Sequence, residues 1–131
     1  LLSALLKDPS GLLLPAIATT ADDNTAEQLF EQASLLMAEK AHYKAALLLY
    51  KAAITGHSRS QCHLGLLYQK GLGVPQSELH AYSWLYLAAQ QQEKAALAAC
   101  HSLQQQLSRS QLQTARRQAA AYFELIAARQ G

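Results

Sequence analysis

The feature that most limits what this chain can fold into is an internal repeat. Ala45, Leu48, Ala52, Ala53 and Gly56 recur 36 residues later as Ala81, Trp84, Ala88, Ala89 and Gln92, with every spacing kept. A period of this size marks stacked supersecondary units, each too small to bury its apolar face alone. Offsets of three and four put the repeated residues on one stripe of a helix. Small alanines at the crossing let two helix backbones approach, and Leu48 or Trp84 one turn earlier fills the gap beside them. The two alanine stretches are therefore expected to be equivalent surfaces in successive antiparallel helix hairpins.

The rest of the chain reads as helix too. Gly and Pro collect at a few points, chiefly Pro9-Ser10-Gly11, Pro15, Gly56 and Gly71-Leu72-Gly73-Val74-Pro75. Between them lie mostly Ala, Leu, Gln, Lys and Glu, which lose little rotamer freedom in a helix. The pattern predicts helices over about 24–39, 42–55, 58–70, 77–90, 93–106 and 109–129. Capping-box spacings mark three starts: Asn24 before Glu27, Ser58 before Gln61, and Ser108 before Gln111. On the last helix Leu112, Ala115, Ala119, Tyr122, Phe123 and Ile126 form one apolar stripe. Val and Ile are rare and no alternating run is long, so the expected class is all-α. Residues 1–23, with Leu1-Leu2, Leu5-Leu6 and Leu12 to Leu14, read as a Leu-rich arm that needs a surface to bury against. The break at Lys7-Asp8-Pro9 argues against an intact signal peptide, and a start at Leu reads as a processed or trimmed end.

The stretch from Ser60 to Ala96 carries Leu64-Gly65, Tyr68, Gly71-Leu72-Gly73-Val74-Pro75, Ala81, Trp84 and Ala88-Ala89. With these anchors at fixed offsets it resembles one complete Sel-1-like repeat, a subclass of the tetratricopeptide-type helical repeats. In that reading Gly65 permits close helix packing and Tyr68 fills space between paired helices. Gly71 and Gly73 supply positive φ, Pro75 stiffens the exit, and Ser77 caps the next helix. The upstream unit has the shorter turn Glu39-Lys40-Ala41-His42-Tyr43 and looks like an ordinary tetratricopeptide repeat. Downstream, His101 stands where Gly65 would be and Gln104 replaces the Tyr. The expected layout is an arm over 1–23 and a repeat domain over 24–131. Its parts are a tetratricopeptide-like unit (24–57), a Sel-1-like unit (58–92) and a degenerate unit with a closing helix (93–131), together a short α-α solenoid of two to three hairpins.

Chemistry-bearing clusters are scarce. Cys62-His63 and Cys100-His101 are adjacent pairs, and neighbouring helical residues point about 100° apart, so neither dipeptide presents two ligands to one ion. A disulfide between Cys62 and Cys100 is weighed against two reduced, buried thiols, and the latter is favoured because the two fall on different faces. A Cys/His nucleophile needs an orienting Asn or Asp, yet Asp22, Asp23 and Asn24 sit at the edge of the first helix. Beyond Lys40 the only acids are Glu78, Glu93 and Glu124, expected on solvent-facing positions of separate helices. The reading is non-enzymatic, with no cofactor and no metal. With 11 basic and 9 acidic residues there is no basic stripe for nucleic acid, and no run of about 18 apolar residues for a membrane span. Tyr50, Tyr68 and Trp84 are assigned to the core, with Tyr82 and Tyr86 partly buried.

The resemblance implies a protein-interaction adaptor or scaffold whose first helices line a concave groove. Carried over by position, that face holds Glu27, Phe30, Ser34 and Met37, then Arg59, Cys62, Leu66, Gln69 and Lys70, then Ala98, Ser102 and Gln105. Such a mixed surface suits a peptide or amphipathic helix. The arm offers a further route to a homo-oligomer or a larger complex. The alternatives are a structural accessory subunit of a bacterial envelope assembly, and a cell-wall glycan binder or hydrolase accessory. The resemblance slightly favours a periplasmic or envelope-associated setting over a cytoplasmic one.

Overall fold

The computed structural model describes residues 25–130, which form six helices and no strand: α1 (Ala26–Ala38), α2 (His42–Ala53), α3 (Ser58–Lys70), α4 (Glu78–Gln90), α5 (Lys94–Gln106) and α6 (Arg109–Gln130). The Leu-rich stretch 1–23 and the Asn24 cap lie outside the described residues. Each helix agrees with its expected span to within two residues at either end.

The starts show which capping residues win. At α1 the box is one residue later than the Asn24 spacing: the Gln28 N–H donates to Thr25 Oγ1 at 3.2 Å, and the Thr25 N–H to Gln28 Oε1 at 2.9 Å. At α3 the cap is His57, not Ser58, with Nδ1 accepting from the Ser60 N–H. Gln61 is thereby released from capping and turns inward, donating to the Ala53 carbonyl at 3.1 Å and accepting from Gln91. The Ser77 cap of α4 and the Ser108–Gln111 box of α6 stand as expected.

Hairpin α1–α2 stacks on hairpin α3–α4 through contacts of α2 with α3, and contacts of α4 with α5 carry the stack onward. Ala45, Ala52, Ala53, Ala81 and Ala88 are fully shielded and Ala89 nearly so, as their small size at a helix crossing requires. The repeat equivalence extends to the backbone, since Gly56 (φ 99°) and Gln92 (φ 68°) both end their helices in the left-handed region. Beside the alanines of α2 the fully buried residue is Leu49, with Leu48 only half-buried; in α4 Trp84 fills that role completely. Its ring stacks on Tyr122 at 4.2 Å and meets Tyr50 edge-on at 6.1 Å, a column through α2, α4 and α6.

Gly65 decides how tightly the second hairpin closes. A Cβ there would lie 2.7 Å from Leu85 Cγ and 3.0 Å from the Ala81 carbonyl, so only glycine admits this approach. In α5 the matching position is His101, which is exposed, and α5 does not lie alongside α6 as α3 does alongside α4. Instead α6 packs on α4 and reaches the end of α2, where Gln130 Nε2 donates to the Thr55 carbonyl at 2.5 Å. This placement corrects the apolar stripe read on α6. Phe123 is 61% exposed, while Gln118 is buried and accepts from the Ser83 hydroxyl at 3.0 Å.

Candidate functional site

Two surface depressions gather side chains from more than one helix. The first lies where α1 meets the start of α3. Glu27 projects from the first turn of α1 and Arg59 from the first turn of α3, so each is placed by its helix start. Arg59 Nη2 donates to both oxygens of Glu27, at 2.6 and 2.8 Å. The guanidinium also rests 4.8 Å above the Phe30 ring, a cation–π contact. His57 Nε2 donates to Glu27 Oε2 at 3.0 Å. That tautomer leaves Nδ1 free to accept from Ser60, so one ring serves both as helix cap and as the bridge back to α1. The His57 and Arg59 hydrogen bonds hold the Glu27 carboxyl below its ordinary value. His63 meets Phe30 edge-on at 5.0 Å.

Glu27, Phe30, Ser34 and Arg59, together with Glu31 and Leu35, bound a shallow depression of about 430 Å³. Four residues expected on one face thus do come together. Met37, Leu66, Gln69 and Lys70 are half-buried or exposed but are not among its walls, and Ala98, Ser102 and Gln105 are exposed on α5. Cys62 departs from the expectation: at 2% exposure it belongs to the core, beneath the face rather than on it. Sequence reasoning missed His57 and His63. Both contact α1 across a stacking interface, and no local spacing announces such a contact.

The second surface is a cleft of about 560 Å³ between α4, α6 and the turn at Gly56, with Tyr86, Gln90, Arg116, Phe123 and Ile126 among its walls. It escaped notice because Phe123 sits at core spacing on α6.

Both thiols are free and buried. Burial pushes Cys62 up to about 11, helped by Glu93, and Cys100 up to about 12, helped by Cys62. A thiol with a raised pKa favours folding below the unfolded value, here 9.0, and that contribution fades as pH climbs through the folded values. At pH 8 neither thiol is expected to react measurably with Ellman's reagent in the folded protein, and both react at once in denaturant. Prompt reaction of either thiol in the native state contradicts this burial. Glu78 and Glu124 are exposed on different helices, and Glu93 accepts from the Ser58 hydroxyl at 3.2 Å. Among the described residues no three His, Cys, Asp or Glu side chains group as metal ligands, and no helix is long and apolar enough to cross a membrane.

The architecture defines the class: an all-α repeat solenoid in which stacked hairpins expose the face of their first helices. No protein-family model matches the chain, and no curated protein matches it. Among solved structures it is similar to a protective antigen of uropathogenic Escherichia coli that displays an SLR, or Sel-1-like repeat, fold. The TM-score is 0.72 and the identity 26%, covering 88% of this chain and 26% of that one. The chain has the Sel-1-like repeat fold, and it spans about a quarter of the length of that relative.

Proposed function

We propose that the chain is a non-catalytic protein-interaction module that docks a partner segment on the face of its first helices. The observation that carries this reading is the Glu27–Arg59–Phe30 clamp. Nη2 of Arg59 donates to both Glu27 oxygens and the guanidinium lies over the Phe30 ring, which biases the side chain toward one position and lowers the entropy a partner must remove. Glu27 neutralises most of the Arg59 charge. What is presented is therefore a pre-formed, mixed apolar and polar patch, suited to an amphipathic helix or peptide rather than to a phosphate or an acidic tail. Along the same face Met37 and Leu66 extend the apolar content, with Ser34, Gln69, Lys70, Ser102 and Gln105 supplying polar contacts. Among the described residues both thiols are buried and held protonated, which favours a binding role over thiol chemistry.

The test is partner capture by the immobilised full chain, with Phe30→Ala and Leu66→Ser combined. Both residues are half-buried, so the fold persists while affinity drops by about tenfold or more, a change of about 1.4 kcal/mol. Capture at full strength by a folded double variant removes this face from the reading.

A further inference from the structure

The cleft between α4, α6 and the Gly56 turn has a direction. A Cβ on Gly56 would lie 3.6 Å from Ile126, so the turn marks the Ile126 end. Arg116 stands about three turns back along α6. Gln91 Nε2 donates to the Gly56 carbonyl at 3.0 Å and Gln130 Nε2 to the Thr55 carbonyl at 2.5 Å, so the turn is held from both α4 and α6. Between the two ends run Leu87, Ala119, Ala120 and the exposed Phe123. Apolar wall in a cleft of ligand size calls for an apolar occupant.

Position and charge both point to the chain's own N-terminal stretch. His57, next after Gly56, is bonded to Glu27 in the first turn of α1. The chain therefore enters α1 beside the Ile126 end of the cleft, and the 24 residues ahead of Thr25 lead away from that place. Ala18 to Asn24 can bridge up to about 23 Å, at roughly 3.3 Å per residue. That reach brings Leu12-Leu13-Leu14-Pro15-Ala16-Ile17, a run without a charge, to an α6 wall about 15 Å long between Ile126 and Arg116. The signs match as well. Residues 1–24 carry Asp8, Asp22 and Asp23 against Lys7, whereas α6 carries Arg109, Arg116, Arg117 and Arg129 against Glu124. No carboxylate stands among the described walls of the cleft.

We propose that residues 12–17 dock in this cleft of the same chain, tying the start of the first hairpin to the last helix. The end units of a short repeat stack each lack one neighbour, and this segment covers apolar surface that the missing neighbour leaves on α6. The site lies apart from the face that holds Phe30 and Arg59.

Disulfide trapping in the full chain tests it. Ala16→Cys is paired with Ala120→Cys in the cleft or, as a control, with Gln32→Cys on α1. Ala120 and Gln32 are exposed, and the native thiols are buried. In an oxidised glutathione buffer the cleft pair is expected to close within one chain about tenfold faster than the control. A stretch that docks nowhere gives the reverse order, because α1 is nearer along the chain. Phe123→Ser slows the cleft pair by about tenfold and leaves the control unchanged, and so does changing Leu12, Leu13 and Leu14 together to Ser. Circular dichroism checks that the variants stay folded. Control closure as fast as cleft closure, or cleft closure that either variant leaves unchanged, overturns the proposal. So does a disulfide that joins two chains, read by mass under non-reducing conditions, which gives the cleft to a second copy.

Discussion

Replacing Trp84 by alanine is expected to lower the unfolding free energy by about 3–5 kcal/mol, the range for removing a fully enclosed large aromatic. Trp84 is 0% exposed, stacks on Tyr122 and meets Tyr50 edge-on. Those partners belong to α6 and α2, so one ring holds both neighbours of α4. In a stack of repeats, stability is the sum of weak units and the interfaces between them. A cavity at Trp84 therefore weakens two interfaces at once. Urea unfolding followed by circular dichroism reads the loss directly, with the slope as a check that the transition stays cooperative. Two comparisons make the cause visible. Trp84→Phe keeps an aromatic face against Tyr122 and removes an indole N–H that has no hydrogen-bond partner among the described residues, so it recovers most of the loss. Leu48→Ala, at the repeat-equivalent position, costs less than half as much, because Leu48 is only half-buried. A Trp84→Ala loss under about 1.5 kcal/mol, the level of a tolerated core swap, rules out the column as a main support.

The contrast between Leu48 and Trp84 shows what the sequence could and could not disclose. Helix spans, the Ala-rich crossings and the Gly-rich turn were legible because each follows from local periodicity or from a residue with few conformational options. Choices between neighbours were not. Leu48 and Leu49 are equally apolar, and only the direction of the packed hairpin decides which is enclosed. Phe123 sits at core spacing on α6, yet α6 abandons α5 for α4, and the ring ends up on the rim of a cleft. The clue to that departure was His101 in the Gly65 position. It was visible in the sequence, but its consequence depends on how close two backbones must come. The same holds for the first-helix face. Residue positions on α1 and α3 were readable from the repeat, whereas the clamp joins Glu27 to His57 and Arg59 across a stacking interface. Cys62 failed in the opposite direction, since a position on the groove side of an idealised repeat is covered here.

The sharpest remaining test concerns Gly73, where substitution is expected to cost about 3 kcal/mol or more. Two glycines of the turn have positive φ, Gly71 at 69° and Gly73 at 77°, and dihedral strain alone predicts similar penalties for both. Their surroundings differ. A Cβ on Gly71 would meet the Gln76 Cβ at 3.0 Å, a tight contact that a shift of a few tenths of an ångström in that exposed turn residue relieves. A Cβ on Gly73 would overlap the carbonyl group of His42 and lie 2.7 Å from the Tyr43 nitrogen. These atoms are backbone at the start of α2, in the preceding hairpin, and cannot rotate away. The turn of the second unit is thus seated on the first unit through a hydrogen in place of a methyl. Asparagine separates the two causes, since it tolerates the left-handed region but still carries a Cβ. Gly71→Asn is expected to cost about 1 kcal/mol or less. Gly73→Asn should cost several times that, lowering the melting temperature by roughly 10 °C or more. Equal losses at the two positions would mean that strain, not space, governs both, and that the turn does not bear on α2. Unequal losses tie the turn of one repeat to the start of the second helix of the preceding repeat, a contact by which the Gly-rich turn sets the stacking of successive hairpins.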